Sequence, residues 1–109
     1  MPHRLIMTPP LILQGLSFWR QHKYFEAHEA WETHWHAIRK DDSRKEEADY
    51  VKGMVQLAVA LVHHERGNLQ WYEKLLSSGP QLLASTEEPY AEISREALLE
   101  QARQAPFRP

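Results

Sequence analysis

The segment YFEAHEAWETHWH, from Tyr24 to His36, sets three histidines and three glutamates in thirteen residues with helical spacing. Such side chains can exchange protons near neutral pH or hold a metal ion, so their use depends on where each one points. At 100° per residue, Tyr24, His28, Trp31, Trp35 and Ile38 recur at intervals of four and three and fall on one stripe. His28 is thereby predicted in the middle of the core face. Glu32 lies one turn beyond, at the edge of that face and within i, i+4 reach of His28. Glu29 and His36 are further round, and His34 is on the far flank. A neutral imidazole taken from water needs partners for a donor and an acceptor, and a carboxylate needs donors still more. That need separates His28 and Glu32 from ordinary surface charges.

Further partners are predicted from the segment that follows. Lys52, Gln56 and His63 share one side of a third helix, interleaved with Gly53 and Ala60, whose small side chains permit close approach. If that row faces the second helix, His28, Glu32, Gln56 and His63 form a polar cluster, with Glu29 at its rim as a base or ligand anchor. Three uses compete for the cluster. One is a satisfied polar pair that fixes helix register, the second a pocket for a small molecule, and the third a site for a divalent metal on His28, Glu32 and His63. The metal motif His-Glu-x-x-His is absent, because HEAWE carries Glu32 where its second histidine belongs. The Glu-x-x-His pairs of di-iron bundles are also missing. Adjacent His63 and His64 cannot share one centre on a regular helix, and His34 and His36 diverge. No cofactor is predicted.

The elements that must position these residues read as helices throughout, since no alternating strand pattern persists. A first helix is predicted after Thr8, a candidate N-cap followed by Pro9 and Pro10, with Ile12, Leu16 and Trp19 along one face and an end near Gln21 to Lys23. The second runs from Tyr24 to about Lys40. Asp42 or Ser43 is expected to cap the third, whose stretch from Val51 to Val62 is apolar around most of its circumference and therefore central. Gly67 and Asn68 give a C-cap and the next N-cap. The fourth helix carries Leu69, Tyr72, Leu75 and Leu76, and SSGPQ is expected to break or kink it at Pro80. A last helix, opened by STEEP, runs through Ile93 and Leu98 and stops before Pro106. Short connections make consecutive helices antiparallel, so the fold class is all-α, a compact antiparallel bundle of about five helices around a central apolar one.

Composition narrows the function classes. A chain of 109 residues can bury one core and hardly two, so residues 1–109 are expected to form a single helical domain. The net charge is −2 and basic residues are scattered among acidic ones, which gives nucleic-acid binding no support. There is no cysteine, hence no disulfide framework or thiolate chemistry. The N-terminal MPHRLIMTPPLIL is too short and too broken by proline for a signal peptide, and no run approaches the roughly 18 apolar residues of a membrane span. A soluble cytoplasmic protein with no membrane partner is expected.

Two blocks together resemble a known family. YFEAHEAWETHW, from Tyr24 to Trp35, and GMVQLAVALVHHERGN, from Gly53 to Asn68, are similar to the domain of unknown function 309, small helical proteins of bacteria and archaea. The resemblance runs from about Leu13 to Leu76. It implies an all-α fold, no assigned biochemical function, and signature positions at His28, Glu29, Glu32, Trp35, Gly53, Gln56, His63 and Asn68. Lys52 departs from the family pattern, which often has Gln before the glycine.

Two functional readings follow. In one, His28 and Glu32 organise a small-ligand or catalytic pocket with Gln56 and His63 as supporting donors. In the other, the chain is a non-enzymatic, self-associating or partner-binding module that uses exposed aromatics such as Trp19 or Trp71, and the His28/Glu32 pair is purely structural. Trp31 and Trp35 are read as core.

Overall fold

Pro10 opens α1 (Pro10–Arg20), where its fixed φ suits a first helical position and its missing N–H is not needed. Thr8 is not the cap. Pro9 takes that place, and the Thr8 hydroxyl instead donates to Glu92 across the fold. The computed structural model describes residues 7–105, so the predicted stop at Pro106 lies outside the described residues. Four more α-helices follow: α2 (Tyr24–Ile38), α3 (Lys45–Glu65), α4 (Leu69–Leu83) and α5 (Arg95–Arg103). No strand occurs among the described residues, and the all-α class read from the sequence holds.

Three boundaries differ from the sequence reading. The cap before α3 is Asp41, whose carboxylate accepts from both the backbone N–H and the hydroxyl of Ser43. It shapes a 3-10 turn at Asp42–Arg44, and α3 begins only at Lys45. Pro80 does not end α4, which continues through it to Leu83. The residue before a proline is pushed from helical geometry by a clash with its Cβ and N–H, and Gly79 has no Cβ to clash. The last helix does not open at STEEP or run through Ile93: residues 84–94 form no helix, and α5 begins only at Arg95, where Ser94 supplies the cap. Gly67 turns the chain at φ 78°, and Ser94 caps α5 by accepting from the Ala97 N–H. Ile93 precedes that helix.

α3 is central, packed against α2 on one side and α4 on the other, with α5 also touching both α3 and α4. Successive helices run antiparallel. Gly15 of α1 lies by Trp31 of α2, early Lys52 of α3 meets late Trp35 of α2, and Gly53 of α3 meets Gly79 of α4. The core comprises Ile12, Leu16 and Trp19 of α1, the inner face of α2, and Tyr50, Val51, Met54, Leu57 and Leu61 of α3. Each large apolar side chain buried there contributes roughly 2 kcal/mol, so these interfaces set the fold.

Candidate functional site

The buried face of α2 is Tyr24, Ala27, Ala30, Trp31, His34 and Ile38. It is turned by about 40° from the predicted stripe. His28 and Trp35 therefore move to the flank and His34 moves in, the reverse of the sequence expectation. The cause is α1. The Trp31 ring is seated over Gly15, and its indole Nε1 donates to the Ile12 carbonyl at 3.0 Å, which fixes the rotation of α2.

The predicted cluster is consequently dispersed. His28 is half-buried, and its Nδ1 donates to the Phe25 carbonyl at 2.8 Å. The other ring nitrogen, Nε2, then carries no proton in the neutral ring. It stands 3.7 Å from Glu32 Oε1, an ion pair only when the imidazole is protonated. Glu29 is exposed and faces the α1 side, beside Gln14 and Phe18. Gln56 faces α4, where its side-chain oxygen accepts from the Ser78 hydroxyl. His63 also faces α4 and stacks on Trp71, with ring centroids 6.0 Å apart. Gln56 and His63 thus turn to the fourth helix rather than the second, while Lys52 of the same row stays against Trp35 of α2. A Cβ on Gly53 would lie 2.9 Å from the Gly79 carbonyl oxygen, so the small residue serves the α3/α4 crossing. Among the described residues, no group of three or more His, Asp or Glu side chains is placed to hold a metal ion.

A different polar cluster is partly buried, where the C-terminal half of α2, the start of α3 and the segment 84–94 meet. Glu47 is its centre. Arg44 donates to both Glu47 oxygens, Nε to Oε1 at 2.8 Å and Nη2 to Oε2 at 2.9 Å, and the Tyr90 hydroxyl donates to Oε2. Burial by itself raises the Glu47 carboxyl pKa, but the donors Arg44 and Tyr90 and the charges of Arg44 and His34 hold it below the usual carboxylate range. Tyr90 is raised well above an ordinary phenol by burial and by the same carboxylate. His34 Nε2 lies 3.8 Å from Glu47 Oε2, too far for a hydrogen bond. Burial pushes the His34 pKa down, and Arg44 assists, against the pull of Glu47.

At neutral pH these directions give an ionised Glu47 with both oxygens engaged and a neutral His34. Such a carboxylate is a clamp between three segments, not a free base. The sequence reading puts His34 on the far flank and gives Arg44 and Glu47 no role. One signal was present, because Glu47 extends the buried stripe of Tyr50, Val51 and Met54 back by one turn at helical spacing.

Of the five large exposed apolar side chains among the described residues, Met7 and Leu13 belong to the α1 region and three lie toward the opposite end of the bundle. Phe25 near the start of α2 is 46% exposed, and Leu69 and Trp71 near the start of α4 are 53% and 46% exposed. Both helices run against α3, so their starts share an end. Phe25 packs edge-on to His28, Trp71 lies against His63, and Lys74 Nζ sits 4.7 Å from the Trp71 ring. Trp19, expected as an interface aromatic, is 2% exposed and belongs to the core. The clefts of the molecule lie elsewhere, one between the start of α3 and Thr86 and Pro89, another along α5, and neither is lined by His28, Glu32, Gln56 or His63. No described helix is long and apolar enough to cross a membrane.

Comparison with known proteins gives the family. The model of the domain of unknown function DUF309 matches residues 12–75, from the core of α1 to the middle of α4. An uncharacterised protein of Bacillus subtilis (strain 168), YpuF, is 40% identical over 60 residues, which cover 55% of this chain and 32% of YpuF. The chain thus spans about a third of the length of the curated relative it matches. No solved structure matches it. The chain belongs to the DUF309 family, and neither family nor relative carries an assigned activity.

Proposed function

We propose that this DUF309 chain is a helical interaction module that pairs with a second copy of itself through the bundle end carrying Phe25, Leu69 and Trp71. The observation that carries the reading is that these three half-exposed side chains lie at the starts of α2 and α4, which stand at one end of the bundle on either side of α3. An exposed apolar group with a polar rim is characteristic of contact surfaces, and aromatic residues supply most of the binding energy there. The rim carries both signs of charge, Glu65 and Glu73 beside Arg66 and Lys74. A two-fold partner can set acid against base across such a rim, which favours a second copy over a partner of single charge. We place the chain in the cytoplasm, where a sequence without cysteine has no need of disulfides. The rival reading, a ligand pocket built on His28 and Glu32, has less support because those side chains line none of the clefts described above.

Sedimentation equilibrium over a wide concentration range tests the proposal. The wild-type chain is expected to dimerise reversibly, and a Phe25→Ser/Trp71→Ser double variant with an unchanged circular dichroism spectrum is expected to remain monomeric. A strictly monomeric wild-type chain at high concentration overturns self-association, as does a double variant that dimerises equally well.

A further inference from the structure

Both aromatic side chains of the self-association surface lie against a histidine. Phe25 packs edge-on to the His28 imidazole with ring centroids 5.1 Å apart, and Trp71 lies nearly parallel to the His63 imidazole at 6.0 Å. One histidine belongs to α2 and the other to the last turn of α3. Both are half-buried, so solvent protons reach them, and a partner seated on Phe25 and Trp71 covers them further. Imidazole is the side chain whose ordinary titration falls between pH 5 and 8.

The charges around the two rings are unequal. His28 Nε2 stands 3.7 Å from Glu32 Oε1, so its protonated form has a counter-charge. His63 has no carboxylate within ion-pair distance among the described residues. From α4, Lys74 Nζ already lies 4.7 Å from the centroid of the Trp71 ring against which His63 packs. The neighbouring titratable groups on α3 are His64, edge-on to Tyr72, and Glu65, whose charge reaches Tyr24 at the start of α2. Gln56 and Ser78, further along the α3/α4 crossing, are neutral and bonded to each other. A proton on His63 thus places a second cation beside Trp71, and taking an unpaired charge out of water is costly.

We propose that self-association through this surface is switched by pH, the copies pairing while His28 and His63 are neutral and separating as these rings take up protons. The inference rests on the self-association reading above. His63 contributes the larger part, because Glu32 compensates His28. A two-fold contact buries both rings from each copy, which doubles the effect.

Sedimentation equilibrium of the full chain at pH 7.5 and pH 5.5, at one ionic strength and with circular dichroism confirming the fold at both, is the test. The wild-type dissociation constant is expected to rise about tenfold or more at pH 5.5. His63→Gln should remove most of that rise, and a His28→Gln/His63→Gln double variant all of it. Proton NMR of the wild-type chain gives a second readout, because association that prefers the neutral ring must make His63 titrate at lower pH in concentrated than in dilute solution. Equal pairing at both pH values overturns the switch and leaves self-association standing. A full rise kept by the double variant, or a His63 titration independent of concentration, overturns the switch as well. A chain that is monomeric at both pH values removes the self-association reading and this inference with it.

Discussion

Gly15 and Trp31 touch so closely that a Cβ built on the glycine would stand 2.2 Å from the indole Nε1. The ring cannot retreat, because it is fully buried and held by its hydrogen bond to the Ile12 carbonyl. Alanine ordinarily favours a helix interior over glycine by roughly 0.5–1 kcal/mol, but overpacking here forces the ring or α1 to move. Gly15→Ala is therefore expected to destabilise the fold by about 1–3 kcal/mol net, read as a lower urea midpoint with little change in slope. An equal or higher midpoint would show that α1 slides freely on α2.

The α3/α4 crossing makes the same demand with a harder neighbour. A Cβ at Gly53 would meet the Gly79 carbonyl oxygen at 2.9 Å and the Leu83 nitrogen at 3.0 Å, both backbone atoms. Backbone cannot rotate aside, so Gly53→Ala should separate the helices and cost about 1–3 kcal/mol. Chemical shifts along Gly79 to Leu83 are expected to move with it, and an unperturbed α4 would refute the close crossing.

Tyr90 tests the clamp on Glu47. Its hydroxyl donates to the Glu47 carboxylate from 43 positions along the chain and so ties the segment 84–94 to the start of α3. Hydrogen bonds to charged groups are worth roughly 1.5–3 kcal/mol, and Tyr90→Phe should lose about that much in chemical denaturation while keeping the ring packed. Amide exchange in residues 84 to 94 is expected to quicken more than in α2. Uniform exchange throughout would mean that the hydroxyl holds nothing locally.

These contacts mark the limit of what was legible in the sequence. Helix identities followed from periodicity, and Gly67 followed from turn chemistry, because each rests on neighbours in the chain. The rotation of α2 did not, since it depends on Gly15 accepting the Trp31 ring, a contact between helices. Ala27 and His34 rank low in hydrophobicity, so a stripe weighted toward larger apolar residues settled on His28 and Trp35 instead. The partners of Gln56 and His63 were misassigned because α2 and α4 flank α3 on opposite sides, and its wheel alone does not say which neighbour a polar row meets. Tyr90 and Arg95 fall within the helix read as opening at STEEP, but 84–94 is an irregular segment held by remote partners, which helical spacing does not reveal.

Acidification should weaken the fold in two stages. The His34 pKa is lowered from 6.5, chiefly by burial, so the folded state favours the neutral ring and the unfolded state takes up the proton first. That contribution is fully present above pH 6.5 and is lost as pH falls below it toward the depressed folded value. The Glu47 pKa is likewise lowered from 4.5, despite burial, by Arg44 and Tyr90, so its contribution persists above pH 4.5 and is lost below. Urea midpoints measured from pH 8 to pH 3 are expected to fall first near pH 6 and again below pH 4.5. His34→Gln should remove the first decline and spare the second, and a first decline unchanged in that variant would assign it to another group.

The His28/Glu32 pair carries far less of the fold than the Glu47 cluster. Glu32 is 45% exposed on its side chain, and the pair is an i, i+4 contact of 3.7 Å on the outer flank of α2. Such pairs contribute roughly 0.2–0.5 kcal/mol, less once salt screens them. Glu32→Gln should therefore leave the urea midpoint within error of wild type, in contrast to Tyr90→Phe. If stability is unchanged, the pair is not what fixes α2, and any loss of dimerisation in the same variant would assign Glu32 to the contact surface. A fall in stability as large as that of Tyr90→Phe would instead make the pair a structural element and contradict its placement on the flank.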